Sequence, residues 1–299
     1  MLLGEHGVLH GGAAISASIN KRITVTLTPN TSNTISIEST LGNFSCDKDN
    51  IPVVHPFTFI LTALKPFSFS SGFTLRITSE FSETVGLGSS AAVVVATLKC
   101  ISAWQDLAWS QKKLLQESIS VIHAVQGLGS GADCAASVYE GVIYYKMQPC
   151  IVEKLPHKPT ICLVYTGYKT KTADVIAFVA TLYQQAPSLY NTLYQKINEC
   201  AEQGKLCILK EDWKTLGDIF CQQQQLMEAL GVSDNVSNTI IQNALKLDTV
   251  LGAKISGSGL GDCIVILGSL PQNFMENEIP GVILLHCVNL NQNAINICP

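Results

Sequence analysis

Three glycine-rich runs hold the residues best suited to handling phosphate. In the run from Glu83 to Ala96, Gly86 and Gly88 precede Ser89 and Ser90, which open a small-residue, apolar stretch. A helix N-terminus presents unpaired N–H groups and the positive end of its dipole, and both favour an anion. Glycines let the backbone approach that anion. The hydroxyls of Ser89 and Ser90 can reach a phosphate or a Mg²⁺ ion. A plain serine cap after a glycine turn would use the same residues. No Gly-Lys-Ser/Thr follows, so this is not a Walker A loop.

The second run, Ala253 to Cys263, alternates Gly257, Gly259 and Gly261 with Ser256, Ser258 and Leu260 between two apolar segments. Alone it also reads as a tight hairpin. Beside the first run it points to joint phosphate handling. The third, Gln126 to Asp133, sets a carboxylate after glycines and before Ala135, Ala136 and Ser137. Asp133 would accept a proton from a substrate hydroxyl, or cap the next helix. His6, His10 and His123 lack HExxH spacing, which favours structural or substrate-contacting roles over a metal site.

Elements must place these runs. Alternating Ile, Val and Thr predict strands over 14–28 and 34–39, joined as a hairpin by a turn at Asn30, Ser32 and Asn33. Residues 42–56 read as loop, 57–64 as a short helix and 73–79 as a strand. Helices are predicted over 89–103, 112–125 and 132–138, and a strand over 141–145. The second half reads as a strand (160–165), then helices over 172–185, 187–203, 212–230 and 234–246. Pro187 stands at a first helical position and Ser233 or Asp234 at an N-cap. Strands follow at 253–256, 263–267 and 281–287. Pro156 and Pro159 bracket a boundary, giving domains of 1–157 and 158–299.

Composition excludes several classes. The chain has 299 residues, 47% hydrophobic, with net charge −4, a pI near 5.9 and mean hydropathy +0.27. That is ample for a core and for about two domains. Arg22 and Arg76 are the only arginines, and the lysines are scattered. Nucleic acid is therefore not an expected partner. No stretch reaches the roughly 18–20 apolar residues of a membrane span, and the opening residues lack the basic and apolar regions of a signal peptide. The expectation is a soluble, cytoplasmic protein with no membrane partner. The eleven cysteines form no CxxC pair and read as small buried hydrophobes rather than a disulfide framework.

The motifs come in a recognisable order. GEHGVLHGG (Gly4 to Gly12), ETVGLGSSAA (Glu83 to Ala92), GSGAD (Gly129 to Asp133) and KISGSGLGDC (Lys254 to Cys263) resemble the GHMP kinases: galactokinases, homoserine kinases, mevalonate kinases and phosphomevalonate kinases. The opening looks most like mevalonate kinases. The segment 123–139 and the ending Gly261-Asp262-Cys263 look more like bacterial phosphomevalonate kinases.

The resemblance implies an α+β two-domain fold. Its N-terminal domain would be of the ribosomal-protein-S5 type and its C-terminal domain ferredoxin-like, with ATP and an alcohol bound in a cleft between them. It implies transfer of the γ-phosphoryl of Mg-ATP to that alcohol, by positioning and charge neutralisation. Gly86, Leu87, Gly88, Ser89, Ser90 and Ala91 would cradle the triphosphate, with Ser90 a Mg²⁺ ligand. Gly257, Ser258, Gly259 and Gly261 would close on the nucleotide and substrate. Asp133 would be the catalytic base. Glu5, His6 and Thr172 would meet the acceptor. A homodimer is one option for assembly.

Two departures stand out. Mevalonate kinases carry a lysine shortly before GEH, and here Met1 stands three residues before Gly4. They also carry a Mg²⁺-binding glutamate ahead of the catalytic aspartate, where this chain reads Val121-Ile122-His123. The scarcity of arginine favours mevalonate over a phosphorylated acceptor, which a guanidinium suits. Lys21, Arg22, Lys169 and Lys171 keep phosphomevalonate, and other small alcohols or sugars, as alternatives. A catalytically inactive nucleotide-binding relative is the reading from another class, opposed by Asp133 and the retained glycine runs.

Overall fold

The computed structural model describes residues 1–81, 85, 87–275 and 279–288, the last three by backbone alone. In chain order the elements are β1 (Ala13–Ala17), β2 (Ile23–Pro29), β3 (Thr34–Ser39), β4 (Gly42–Asp47), α1 (Thr58–Leu64), β5 (Phe73–Ser79), α2 (Ser89–Trp104), α3 (Gln111–Gln126) and α4 (Ala132–Tyr139). There follow β6 (Val142–Lys146), β7 (Ile151–Leu155), β8 (Ile161–Lys169), α5 (Thr172–Gln185), α6 (Pro187–Lys210), α7 (Trp213–Ala229), α8 (Asn235–Ala244), β9 (Val250–Ser256), β10 (Gly261–Gly268) and β11 (Ile283–Val288). A 3-10 turn covers Gly7–His10. No helix among the described residues is long and apolar enough to cross a membrane.

Two compact units interleave along the chain. Among the described residues, the first comprises 1–20, 85, 87 and everything from 139 onward. The second comprises 21–81 and 88–138. The chain therefore crosses between these units several times.

The second unit is built on a sheet of order β2-β5-β3-β4. β5 is central, antiparallel to β2 and parallel to β3. The predicted hairpin across residues 30–33 is thus corrected: β2 and β3 are not neighbours, because β5 inserts between them. All three strands alternate, and Val25, Ile35, Ile37, Phe73, Leu75 and Ile77 turn one apolar face to the core. Alternation identifies a buried face but not which edge pairs with which. The single span 14–28 is also two strands, β1 and β2, in different sheets. Residues 42–47, read as loop, form β4, which pairs with β3 through ordinary polar residues at the sheet edge. α1 and α2 cover the apolar face. Ser110 caps α3, accepting from the Lys113 N–H at 3.2 Å.

The first unit contains two sheets, β1-β6-β7 and β11-β8-β10-β9, with α5 to α8. Its core joins Leu3 and Ile15 to Ile197 and Ile208 of α6, Phe220 and Met227 of α7, and Ile255 and Ile264 of β9 and β10. Helix boundaries follow cap chemistry. Asp212 accepts from Thr215 N–H at 3.1 Å and Asp234 from Ser237 N–H at 2.8 Å. β7 was not predicted; its burial pattern is mostly exposed, so it lacks an alternating signature. Eight cysteines are free thiols, but Cys162 is disulfide-bonded, unlike the uniformly reduced set expected.

Phe73 tests the corrected topology. Its fully buried ring lies edge-on to Phe69 at 4.9 Å and to Trp104 at 5.1 Å between centroids. Phe73→Ala is expected to cost about 3–5 kcal/mol in a urea titration. A loss below about 1 kcal/mol would contradict a central β5.

Candidate active site

In the second unit, the first turn of α2 and the start of α4 converge. Gly88 precedes α2 in the left-handed region, with φ 73°. The first helical bond runs from Ala92 N–H to the Gly88 carbonyl at 3.0 Å. The N–H groups of Ser89, Ser90 and Ala91 come before it, at the positive end of the helix dipole. Ser89 and Ser90 are half-buried and Ala91 is buried. A Cβ added at Gly88 would stand 3.4 to 3.5 Å from the Cγ, Cβ and Oδ2 of Asp133. The carboxylate therefore lies directly against the glycine. Asp133 is exposed, while Ala132, Cys134, Ala135 and Ala136 around it are buried. It is the second residue of α4, not the residue preceding the helix, so it is not the cap that the sequence also allowed. The loop before it is held by His123, whose Nε2 donates to the Gly129 carbonyl at 2.8 Å. Gly86 lies outside the described residues.

In the first unit, the GEH segment and the run 257–261 are fastened together. His6 Nε2 donates to the Ser258 carbonyl at 2.8 Å. Glu5 is buried beside it. Lys254 Nζ donates to Glu5 Oε1 at 2.5 Å and to the Ile255 carbonyl, and Gln223 Nε2 donates to Glu5 Oε2. Burial pulls the Lys254 ammonium below its usual pKa, while the Glu5 carboxylate pulls the other way. Gln223 Oε1 accepts from Gly4 N–H at 3.1 Å and Gln224 Oε1 from Ile255 N–H at 3.0 Å.

The run itself is a fixed loop. Gly259 has φ 90°, and a Cβ there would lie 2.3 Å from the Val232 carbonyl oxygen, so only glycine fits. Leu260 N–H donates to that same carbonyl at 2.9 Å. Thr170 Oγ1 donates to the Leu260 carbonyl at 2.6 Å, and Thr166 Oγ1 to the Asp262 carbonyl at 2.9 Å. Asp262 Oδ2 stands 3.6 Å from Lys169 Nζ and 3.4 Å from where a Gly257 Cβ would be. Thr172, the exposed first residue of α5, follows this segment closely in the chain. Leu87 packs with Val85, Tyr165 and Cys263, and Cys263 Sγ donates to the Val85 carbonyl at 3.1 Å.

The structure thus groups Asp133 with Gly88 to Ala91 in one unit, and His6 with Gly257 to Gly261 in the other. Glu5, expected at the acceptor, has both carboxylate oxygens bonded inside the protein, to Lys254 and Gln223. Gln223, Gln224 and Asp262 were missed. A run of four glutamines at 222–225 in an amphipathic helix was the available signal, since two of them are buried.

Burial holds both His6 and His10 below the free imidazole pKa of 6.5. His10 also feels His6, and its ring stacks on Tyr194 at 3.8 Å. The folded state therefore favours neutral rings. As pH falls below 6.5 the unfolded chain takes up protons first, so stability is full above that value and is lost as pH drops through the lowered folded values. Urea midpoints at about pH 7.5 and 5.5 are expected to fall, and to fall less in His10→Phe, which keeps the stacking. An equal fall in both proteins would remove His10 from the effect.

Comparison with known proteins fits this geometry. The GHMP kinases N terminal domain matches residues 57–141 and the GHMP kinases C terminal domain residues 205–276. A mevalonate kinase of Pyrococcus abyssi is 30% identical over 301 residues, covering 93% of this chain and 89% of the relative. The crystal structure of an L. major mevalonate kinase with R-mevalonate superposes with TM-score 0.78 at 23% identity, over 95% of this chain and 91% of that one. A Lactococcus lactis galactokinase with galactose gives TM-score 0.83 at 16% identity, over 98% and 92%. Fold likeness therefore does not choose among acceptors. Matched domains in family order, with a relative aligned over nearly the whole length of both chains, establish that this chain belongs to the GHMP kinases.

Proposed function

We propose that this chain transfers the γ-phosphoryl of Mg-ATP to the hydroxyl of mevalonate, giving 5-phosphomevalonate for isoprenoid precursor synthesis. The observation that carries phosphoryl transfer is the Asp133 carboxylate lying against Gly88 at the N-terminus of α2. A base and an anion-binding backbone then meet at one place. The acceptor is supported by 30% identity to the mevalonate kinase relative over 93% of this chain. The Lys169–Asp262 pair supports it, because a lysine already facing a carboxylate is poorly placed to take a second phosphate. Residues 1–157 and 158–299 are taken as the two family domains, each holding one matched region.

Each side chain then has a task. Asp133 accepts the proton of the acceptor hydroxyl. Gly86 to Ala91 present backbone N–H groups to the phosphates. Gly257, Ser258, Gly259 and Gly261 approach the phosphates and acceptor, with His6 and Thr172 beside the alcohol. Ser90 and the phosphates would hold Mg²⁺, whose role is to neutralise charge on the transferring group. The hard oxygen donors at this helix start suit that ion.

A coupled ADP-release assay with mevalonate, phosphomevalonate, homoserine and galactose tests the acceptor. Mevalonate is expected to give the highest kcat/KM, and a higher value for phosphomevalonate would transfer the assignment. Asp133→Asn keeps the shape but removes basicity, and is expected to lower kcat by at least about 100-fold with little change in ATP affinity. Retention of more than about half of kcat would end the base assignment. Gly88→Val crowds Asp133 and the anion site together, and calorimetry is expected to show ATP bound more than about tenfold more weakly.

A further inference from the structure

We infer that Glu5, Lys254 and Gln223 are positioning residues: they hold the His6 imidazole on the Ser258 carbonyl, and Glu5 does not itself contact the acceptor. The inference rests on the reading above, in which His6 and the run 257–261 serve one substrate.

Lys254 is fully buried and Glu5 nearly so. The lysine stands four residues before Ser258, and the glutamate is next to His6. Further polar bonds of Gln223, Lys254 and the adjoining Gln224 reach the backbone of these same two segments. Gln223 receives Gly4 N–H, Lys254 donates to the Ile255 carbonyl, and the adjoining Gln224 receives Ile255 N–H. α7 thus supplies two consecutive amides, one reading each segment.

Stability alone does not account for such a group. Two charges removed from water pay heavily in desolvation, and apolar side chains of equal volume often serve a core as well. What a charged, hydrogen-bonded group adds is direction: each donor has a fixed line to its acceptor. Here that direction fixes the backbone at Glu5, and His6 leaves Glu5 in the left-handed region with φ 59°. The ring is then aimed at Ser258 rather than left to find it. An apolar pair would fill the volume and leave the ring's approach unspecified.

The double substitution Glu5→Leu/Lys254→Met separates the two roles. It removes both charges together, so neither is left buried alone. Three readouts are taken: thermal melting, the solvent exchange of the His6 Nε2 proton by NMR, and kcat/KM on whichever acceptor the native protein turns over. The variant is expected to melt cooperatively near the native temperature. Its His6 proton should lose the protection it has in the native protein, and kcat/KM should fall by about tenfold or more while ATP affinity stays within about threefold. A variant with native melting, a protected His6 proton and kcat/KM within about twofold of native would overturn the proposal. If the double variant does not fold, Gln223→Met leaves the ion pair intact and is judged by the same proton: protection retained overturns the proposal, protection lost supports it. If the native protein phosphorylates none of the four acceptors, the functional reading fails, and the His6 proton still decides this inference.

Discussion

A lysine and a glutamate taken out of water together set the terms for the first unit. Neither Lys254 nor Glu5 is tolerable there alone, since an unpaired charge in a core costs several kcal/mol. The ammonium is met by Glu5, the Ile255 carbonyl and, at 6.0 Å, the face of Phe220. The carboxylate is met by Lys254 and Gln223. These requirements link the N-terminal segment, β9 and α7, which lie more than 200 residues apart at the extremes. Helix phase in α7 is constrained too, because Gln223 and Gln224 must both face inward beside Phe220 and Met227.

The second unit manages charge differently. Its proposed anion site is made of backbone N–H groups at a helix start, and its carboxylate stays exposed. Nothing there requires a buried charge. What it requires is a small residue at position 88, so that Asp133 can lie against the backbone at the start of α2. The supports are modest as well: a histidine in the last turn of α3 grips the carbonyl of Gly129, and α4 carries Asp133 in its first turn. One unit thus gains precision from buried polar bonds, and the other from close backbone approach.

That difference explains what could be read from residues alone. Helices with a plain apolar face or a capping Asp were legible, and α2, α3, α7 and α8 fall within a residue or two of expectation. The glycine runs and Asp133 were legible because local chemistry marks them. Strand neighbours were not. β5 enters between β2 and β3 from some 34 residues beyond β3, and alternation is equally satisfied by either arrangement. The role of Glu5 was hidden for a related reason. A glutamate in a conserved-looking motif can point to a ligand or to the core, and its partners, Lys254 and Gln223, are remote in the chain. Lys254 stood in a quoted motif with no task, since a lysine near glycines suggests phosphate long before it suggests a buried pair.

The run 257–261 carries a further consequence of charge. Its backbone takes positive φ at Gly257, Gly259, Leu260 and Gly261, and the Leu260 N–H is already bonded to the Val232 carbonyl. Yet Asp262 sets a carboxylate beside Gly257, which by itself would repel a phosphate. Lys169, 3.6 Å away, offsets it. The Asp262–Lys169 pair therefore contributes little net charge beside the loop. Lys169 is not the sole cation beside the run, because the Met1 ammonium donates to Ser256 Oγ at 3.1 Å, one residue before Gly257.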